Sequence, residues 1–218
     1  YNDYFATLDV LTANPQVPAA AKADYLQAVF RQADRQFINT FKPQFDTTVS
    51  IAERVHPNDT SILETAGLYY FSTGRREKAA DAFRTMKELS PENPVAAAEY
   101  IRILLFNGEW ENAVTESEEA FRKFDSEPGF LDFANTAEYQ LKNYDRIIDN
   151  CSRMLLASPG DSAVFVSSWS TIGDMKHKLG DDKSAFKAYD ILLKRYPDYS
   201  PALNNYAWFL AENGKKLK

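Results

Sequence analysis

The sequence is short of the residues that carry most covalent and metal chemistry. One cysteine, Cys151, stands alone among 218 residues, so no intramolecular disulfide and no cysteine-based metal site can form. A single cysteine suits a reducing cytosol or a periplasm and selects neither. Histidine occurs only at His56 and His177, too few to assemble a metal site. No Gly-rich phosphate loop, no His-Glu-x-x-His and no Gly-x-Ser-x-Gly is present, so no catalytic residue and no cofactor is assigned. No apolar run approaches the roughly 18 residues of a membrane span. Positive charge is also in deficit. Lys and Arg number 25 against 31 Asp and Glu, giving a net charge of −6 and a pI near 5.1. No basic stripe compensates, so nucleic acid is excluded as a partner. What remains is 44% hydrophobic and interleaved with charge, the composition of a folded, helix-rich chain.

The few prolines and glycines that do occur are spaced. Pro57 to Pro91 is 34 residues, Pro91 to Pro159 is 68, and Pro159 to Pro197 is 38. Gly74 to Gly108 is again 34, as is Gly180 to Gly214. Punctuation at a fixed period marks a stack of small modules. Units are counted from Thr60, Pro94, Pro128, near Val166 after a four-residue insertion, and Ser200, the last incomplete. Counting back from Thr60 gives a degenerate unit at Leu26. Residues 1–25 read as an N-terminal helix and linker, with Tyr4, Leu8 and Leu11 on one face and Asn14 to Pro18 ending it. The whole chain reads as one array.

Within the Thr60 unit, Leu63, Ala66, Gly67 and Tyr70 recur at helical spacing. Gly74 breaks the run, and a second helix carries Ala79, Phe83 and Met86 before Pro91. Ser61 with Glu64 reads as a capping box, and Asn93 as the N-cap ahead of Pro94. Small residues at Gly67, Ala79, Gly173 and Ala185 let paired helices approach, while Tyr70, Phe83, Trp169 and Tyr189 fill the space between units. Three positions depart from the pattern. Asp125 replaces a closing proline, Lys142 a glycine, and Phe45 a small residue, so the helices of the first unit should cross less tightly. Cys151 sits at the offset of Phe83 and Tyr189 and reads as a buried, inert thiol.

Trp169-x2-Ile172-Gly173 and Leu63-x2-Ala66-Gly67-x2-Tyr70, followed by Gly, Ala, Phe and Pro at fixed offsets, resemble the tetratricopeptide repeat (TPR) family over roughly residues 26–214. The resemblance implies an all-α, right-handed α-solenoid of antiparallel helix–turn–helix repeats. It implies a non-catalytic scaffold that binds a helix or extended segment of a protein partner on the concave face, which the first helix of each pair lines. A sensory or positioning domain of a larger enzyme or envelope assembly protein is the alternative. On that reading the groove positions are Phe30, Glu64, Leu68, Phe71, Glu99, Arg102, Phe106, Asp132, Phe133, Tyr139, Asp174, His177 and Trp208. The apolar ones form a stripe of the kind that marks partner sites. Glu64, Leu68, Glu99, Ser167 and Thr171 occupy offsets where some relatives place a carboxylate clamp, which argues against recognition of a C-terminal tail. The mixed-to-acidic groove calls for a partner with apolar anchors and some basic residues.

The Asn204-Asn205-Tyr206-Ala207 helix start looks like bacterial members of the family. Many of those are tethered in the cell envelope, which is the implied compartment, with cytoplasm as the alternative. Tyr206 and Leu210 should be partly uncovered, so the array is expected to continue past Lys218 or to meet another chain there. Oligomeric state is left open.

Overall fold

The computed structural model describes residues 1–124 and 127–212; Asp125, Gly214 and Lys218 lie outside the described residues. Among the described residues every regular element is a helix. The chain divides into two compact units, Tyr1–Asn107 and Gly108–Lys218.

The first unit holds α1 (Asn2–Ala13), α2 (Ala19–Gln32), α3 (Arg35–Thr40), α4 (Lys42–Val55), α5 (Thr60–Ser72), α6 (Arg76–Leu89) and α7 (Pro94–Asn107). Its regular pair is α5/α6. The cap of α5 is Asp59, whose Oδ1 accepts from the amides of Ser61 (2.9 Å) and Ile62 (3.3 Å), so Asp59 takes the role the sequence suggested for Ser61. Gly74 turns the chain at φ +78°, a conformation open to glycine at little cost. Phe83 of α6 then lies against Gly67 of α5 so closely that a Cβ there would meet the ring at 2.7 Å. Asn93 accepts from the amide of Val95 at 2.9 Å and starts α7.

The N-terminal part is less regular. The first helix of the degenerate unit is α2, which starts at Ala19 and not at Leu26, so the linker read at 1–25 is partly helix. The short α3 then intervenes, capped by Asp34 through the Phe37 amide at 2.7 Å. Helix α1 buries Phe5, Leu8 and Thr12 against α4, a face rotated from the Tyr4, Leu8, Leu11 reading. Phe45 of α4 is fully buried where the regular pairs carry alanine. It meets Phe5 (5.0 Å between ring centroids), Phe30 (5.5 Å) and Phe37 (6.1 Å). Lys22 of α2 is also fully buried, its amine donating to the Thr12 carbonyl (2.8 Å) and facing His56 Nε2 at 2.9 Å. Thr12 and His56 lie at the C-terminal ends of α1 and α4, where the helix dipole is negative. His56 thus meets a buried amine at the end of its helix. Burial holds that amine's pKa below the usual lysine value.

The second unit holds α8 (Trp110–Lys123), α9 (Pro128–Gln140), α10 (Tyr144–Ala157), α11 (Ser162–Lys178), α12 (Asp182–Arg195) and α13 (Ser200–Glu212). Consecutive helices pack on one another throughout it. Lys142 takes a left-handed φ of 60° where Gly74 and Gly180 adopt 78° and 76° in their own turns. The four-residue insertion lengthens a helix: α11 begins at Ser162, not near Val166, and runs 17 residues. Asp161 caps it through the amides of Ala163 (2.7 Å) and Val164 (3.0 Å). In α11/α12, Tyr189 lies against Gly173, where a Cβ would meet the ring at 2.6 Å. Arg153 of α10 makes a two-armed bond to Glu118 of α8, at 2.6 and 2.8 Å. Cys151 is buried beside Met154 and Asn135, and burial with the nearby Asp132 charge pushes its thiol up to about 12. These helix pairs give an all-α fold of the α-solenoid class.

Candidate functional site

In the first unit the surface of interest is carried by α2, α5 and α7, the first helices of their pairs. Tyr69 sets its foundation. Its hydroxyl donates to Asp46 at 2.6 Å, and Asp46 also pairs with Arg75 at 2.5 Å. Arg75 in turn lies 4.8 Å from the Tyr69 and Tyr70 ring centres. Burial, and then the Asp46 bond, raises the Tyr69 phenol above its ordinary value, so the hydroxyl remains a donor.

On this fixed ring lies Phe30, stacked at 5.1 Å and 17°. Phe30 is therefore half-buried, part of a floor rather than a free contact. Gln27, one turn before it, donates to Thr65 Oγ1 at 3.0 Å and ties α2 to α5. A cleft of about 270 Å³ opens over the floor, with Ile38, Leu68, Arg31 and Ser72 on its sides. Leu68 is 43% exposed. One turn along α5, Phe71 meets Phe106 of α7 edge-on at 4.5 Å. Phe106 is 54% exposed, and the Arg76 guanidinium covers one side of it at 5.0 Å. Phe30, Leu68, Phe71 and Phe106 thus form a continuous apolar stripe within this unit. Glu99 and Arg102 neutralise each other at 3.2 Å, and Glu64 is half-buried one turn before Leu68.

The second unit treats its candidate residues differently. Asp174 accepts from the Tyr189 hydroxyl and from Asn205 Nδ2 (2.9 Å), so its carboxylate braces α11 against α12 and α13. His177 Nδ1 lies 2.7 Å from Asp182 Oδ1, and its ring stacks on Phe209. Both side chains are engaged in packing. Phe133 is half-buried near Phe130, at 6.4 Å between centroids. Tyr139 is exposed, with the Lys178 ammonium 5.3 Å from its ring centre. Asp132 and Trp208 are also exposed, Trp208 at 62%. Tyr206 and Leu210 on α13 are half-buried.

Sequence reasoning missed Ile38 and Arg76. Ile38 sits on α3, outside the repeat pattern, and only the Asp34 cap followed by Phe37 and Ile38 hints at a helix there. Arg76 belongs to α6, a second helix, and reaches the stripe from behind. Among the described residues no group of His, Cys, Asp and Glu could hold a metal ion. Among them, too, no helix is long and apolar enough to cross a membrane.

A family model described as tetratricopeptide repeat matches residues 52–218. No curated protein matches the chain. Among solved structures, YrrB, described as a TPR protein with an unusual peptide-binding site, is 14% identical with a TM-score of 0.61 over 87% of this chain and 90% of its own. MamA from Desulfovibrio magneticus RS-1 is 16% identical, with a TM-score of 0.60 over 84% of this chain and 98% of that one. PilF from Pseudomonas aeruginosa is 17% identical, with a TM-score of 0.51 over 89% and 80%.

Proposed function

The chain belongs to the tetratricopeptide repeat family, and from that premise we propose that it binds a helical or extended segment of a partner protein on the first-helix face of its pairs, the family's concave side. Protein–protein interaction is the general role of such repeats. The observation that carries the finer reading is the stripe in the first unit. Leu68 and Phe106 stand exposed between rings already fixed by Tyr69, Phe30 and Phe71. A surface ordered before binding loses little conformational freedom on association. It also leaves apolar area facing water, which an amphipathic segment would cover. YrrB, similar in fold, is described by a peptide-binding site, the class of ligand proposed here.

The test is affinity capture followed by mass spectrometry, with wild type beside a folded Phe71→Ala, Phe106→Ala double variant. Circular dichroism checks the fold. A partner held by wild type and released by the variant supports the reading. A partner held equally by both places recognition elsewhere and ends it.

A further inference from the structure

The charges around the stripe differ from those read along the helices. A count along first helices sets Glu64 and Glu99 against Arg102 and favours a partner with basic residues. In the folded unit Glu99 is answered by Arg102 at 3.2 Å and drops out of the balance. Two guanidiniums enter instead. Arg31 is the one charged residue lining the cleft, is exposed, and forms no ion pair with the described residues. Arg76 stands at the other end, over Phe106, with its π contact and no ion pair to the described residues. Elsewhere in the same unit Arg75 and Arg84 are held by Asp46 and Asp81. Among the described residues the apolar stripe therefore runs between two guanidiniums that form no ion pair, with the half-buried Glu64 one turn before Leu68.

We infer that this surface seats an acidic amphipathic segment of a partner protein, with one leucine or phenylalanine side chain entering the cleft and flanking aspartate or glutamate carboxylates pairing with Arg31 and Arg76. The inference rests on the reading of the stripe as the binding face and adds the chemistry of its ligand. The cleft of about 270 Å³ suits a single large apolar side chain. Its floor of stacked rings and its Ile38 and Leu68 sides are apolar, and the donors of Gln27 and Ser72 at its edge are engaged with Thr65 and the Tyr69 carbonyl. A planar guanidinium takes a carboxylate through two parallel bonds, which a lysine or a neutral side chain on the partner cannot match. The cleft depends on α3: without the short helix that interrupts the repeat, Ile38 would not close one side.

The experiment selects short random peptides, displayed with their C-termini fused so that only side-chain acids are read, against the full chain. Wild type is expected to enrich peptides with Leu or Phe and an Asp or Glu within one helical turn. A synthetic peptide of that sequence should bind Arg31→Glu at least about tenfold more weakly by fluorescence anisotropy, and weaken as salt is added. Selection on Arg31→Glu should shift the enriched charge from acidic to basic. Arg31 is exposed, so the variant is expected to fold, and circular dichroism confirms it. Enriched peptides that are neutral or basic, bind Arg31→Glu unchanged, yet lose binding in Phe71→Ala overturn the acidic ligand and leave the stripe as a binding face. Peptides indifferent to Phe71→Ala, or no enrichment at all, overturn both.

Discussion

In α5/α6 and in α11/α12 a glycine on one helix faces an aromatic ring on the other; in α2 and α4, ring faces ring. Gly67 with Phe83 and Gly173 with Tyr189 bring backbone within van der Waals reach of a side chain. Between α2 and α4, Phe30 and Phe45 are 5.5 Å apart, and Phe5 and Phe37 close around them. The same step in the repeat is thus built in two ways. The glycine pairs exclude everything but the ring, and so leave no room for a ligand. The aromatic pair holds its helices farther apart, and the cleft beside Phe30 opens where the regular packing is relaxed.

Removing the ring should do most harm. Phe45→Ala restores the alanine found in regular pairs, yet it empties a fully buried volume, and the loss is expected at about 3–5 kcal/mol in urea unfolding followed by circular dichroism. A near-neutral result would mean that α2 and α4 collapse to the regular geometry, and the cleft should then disappear. Adding a methyl group at a glycine pair comes next. Gly67→Ala or Gly173→Ala pushes a buried ring aside and should cost about 1–3 kcal/mol, where the same change on an open helix face would add about 0.5–1 kcal/mol.

Third is the hydroxyl that braces the second glycine pair. Tyr189→Phe removes the bond to Asp174 and should cost about 1 kcal/mol. Burial first, and then Asp174, raises the Tyr189 phenol above its ordinary value near 10, as burial and Glu53 do for Tyr70. The folded state therefore favours the protonated phenol. Its contribution is complete below about pH 10 and is lost as pH rises beyond that. Stability should fall more gently above pH 10 in Tyr189→Phe than in wild type. The smallest effect is expected at Lys142, where glycine would relieve a left-handed backbone and add about 0.5–1 kcal/mol.

Helix pairs were legible because proline and glycine sit in the links between them, where backbone rules act on single residues. Asp161 and Asp59 were not recognised as caps because the repeat count looked for unit starts, not for side-chain oxygens one residue ahead of a helix. A four-residue insertion reads in sequence as added loop. In the fold it is close to one helical turn, and α11 absorbs it without disturbing its face. The stripe was legible in part. Leu68, Phe71 and Phe106 follow from helical spacing, and so does Phe30, but spacing does not show that Phe30 stacks on Tyr69 and floors the cleft. Asp174 and His177 were placed on the face by spacing alone, which says nothing of the Tyr189, Asn205 and Asp182 partners that occupy them. Charge was least legible of all, because a count along first helices omits Arg76, which reaches the stripe from α6.

Several side-chain bonds within and between helix pairs share a reach. Lys22 to His56 spans 34 residues, Gln27 to Thr65 spans 38, Glu118 to Arg153 spans 35, and Asp174 to Asn205 spans 31. Each closes when about one repeat has been added to the chain. During synthesis a nascent pair would find its partner as soon as it cleared the ribosome, without waiting for distant sequence. Buried Lys22 would stay hydrated until His56 emerged, so translation itself sets the moment at which its helix can settle.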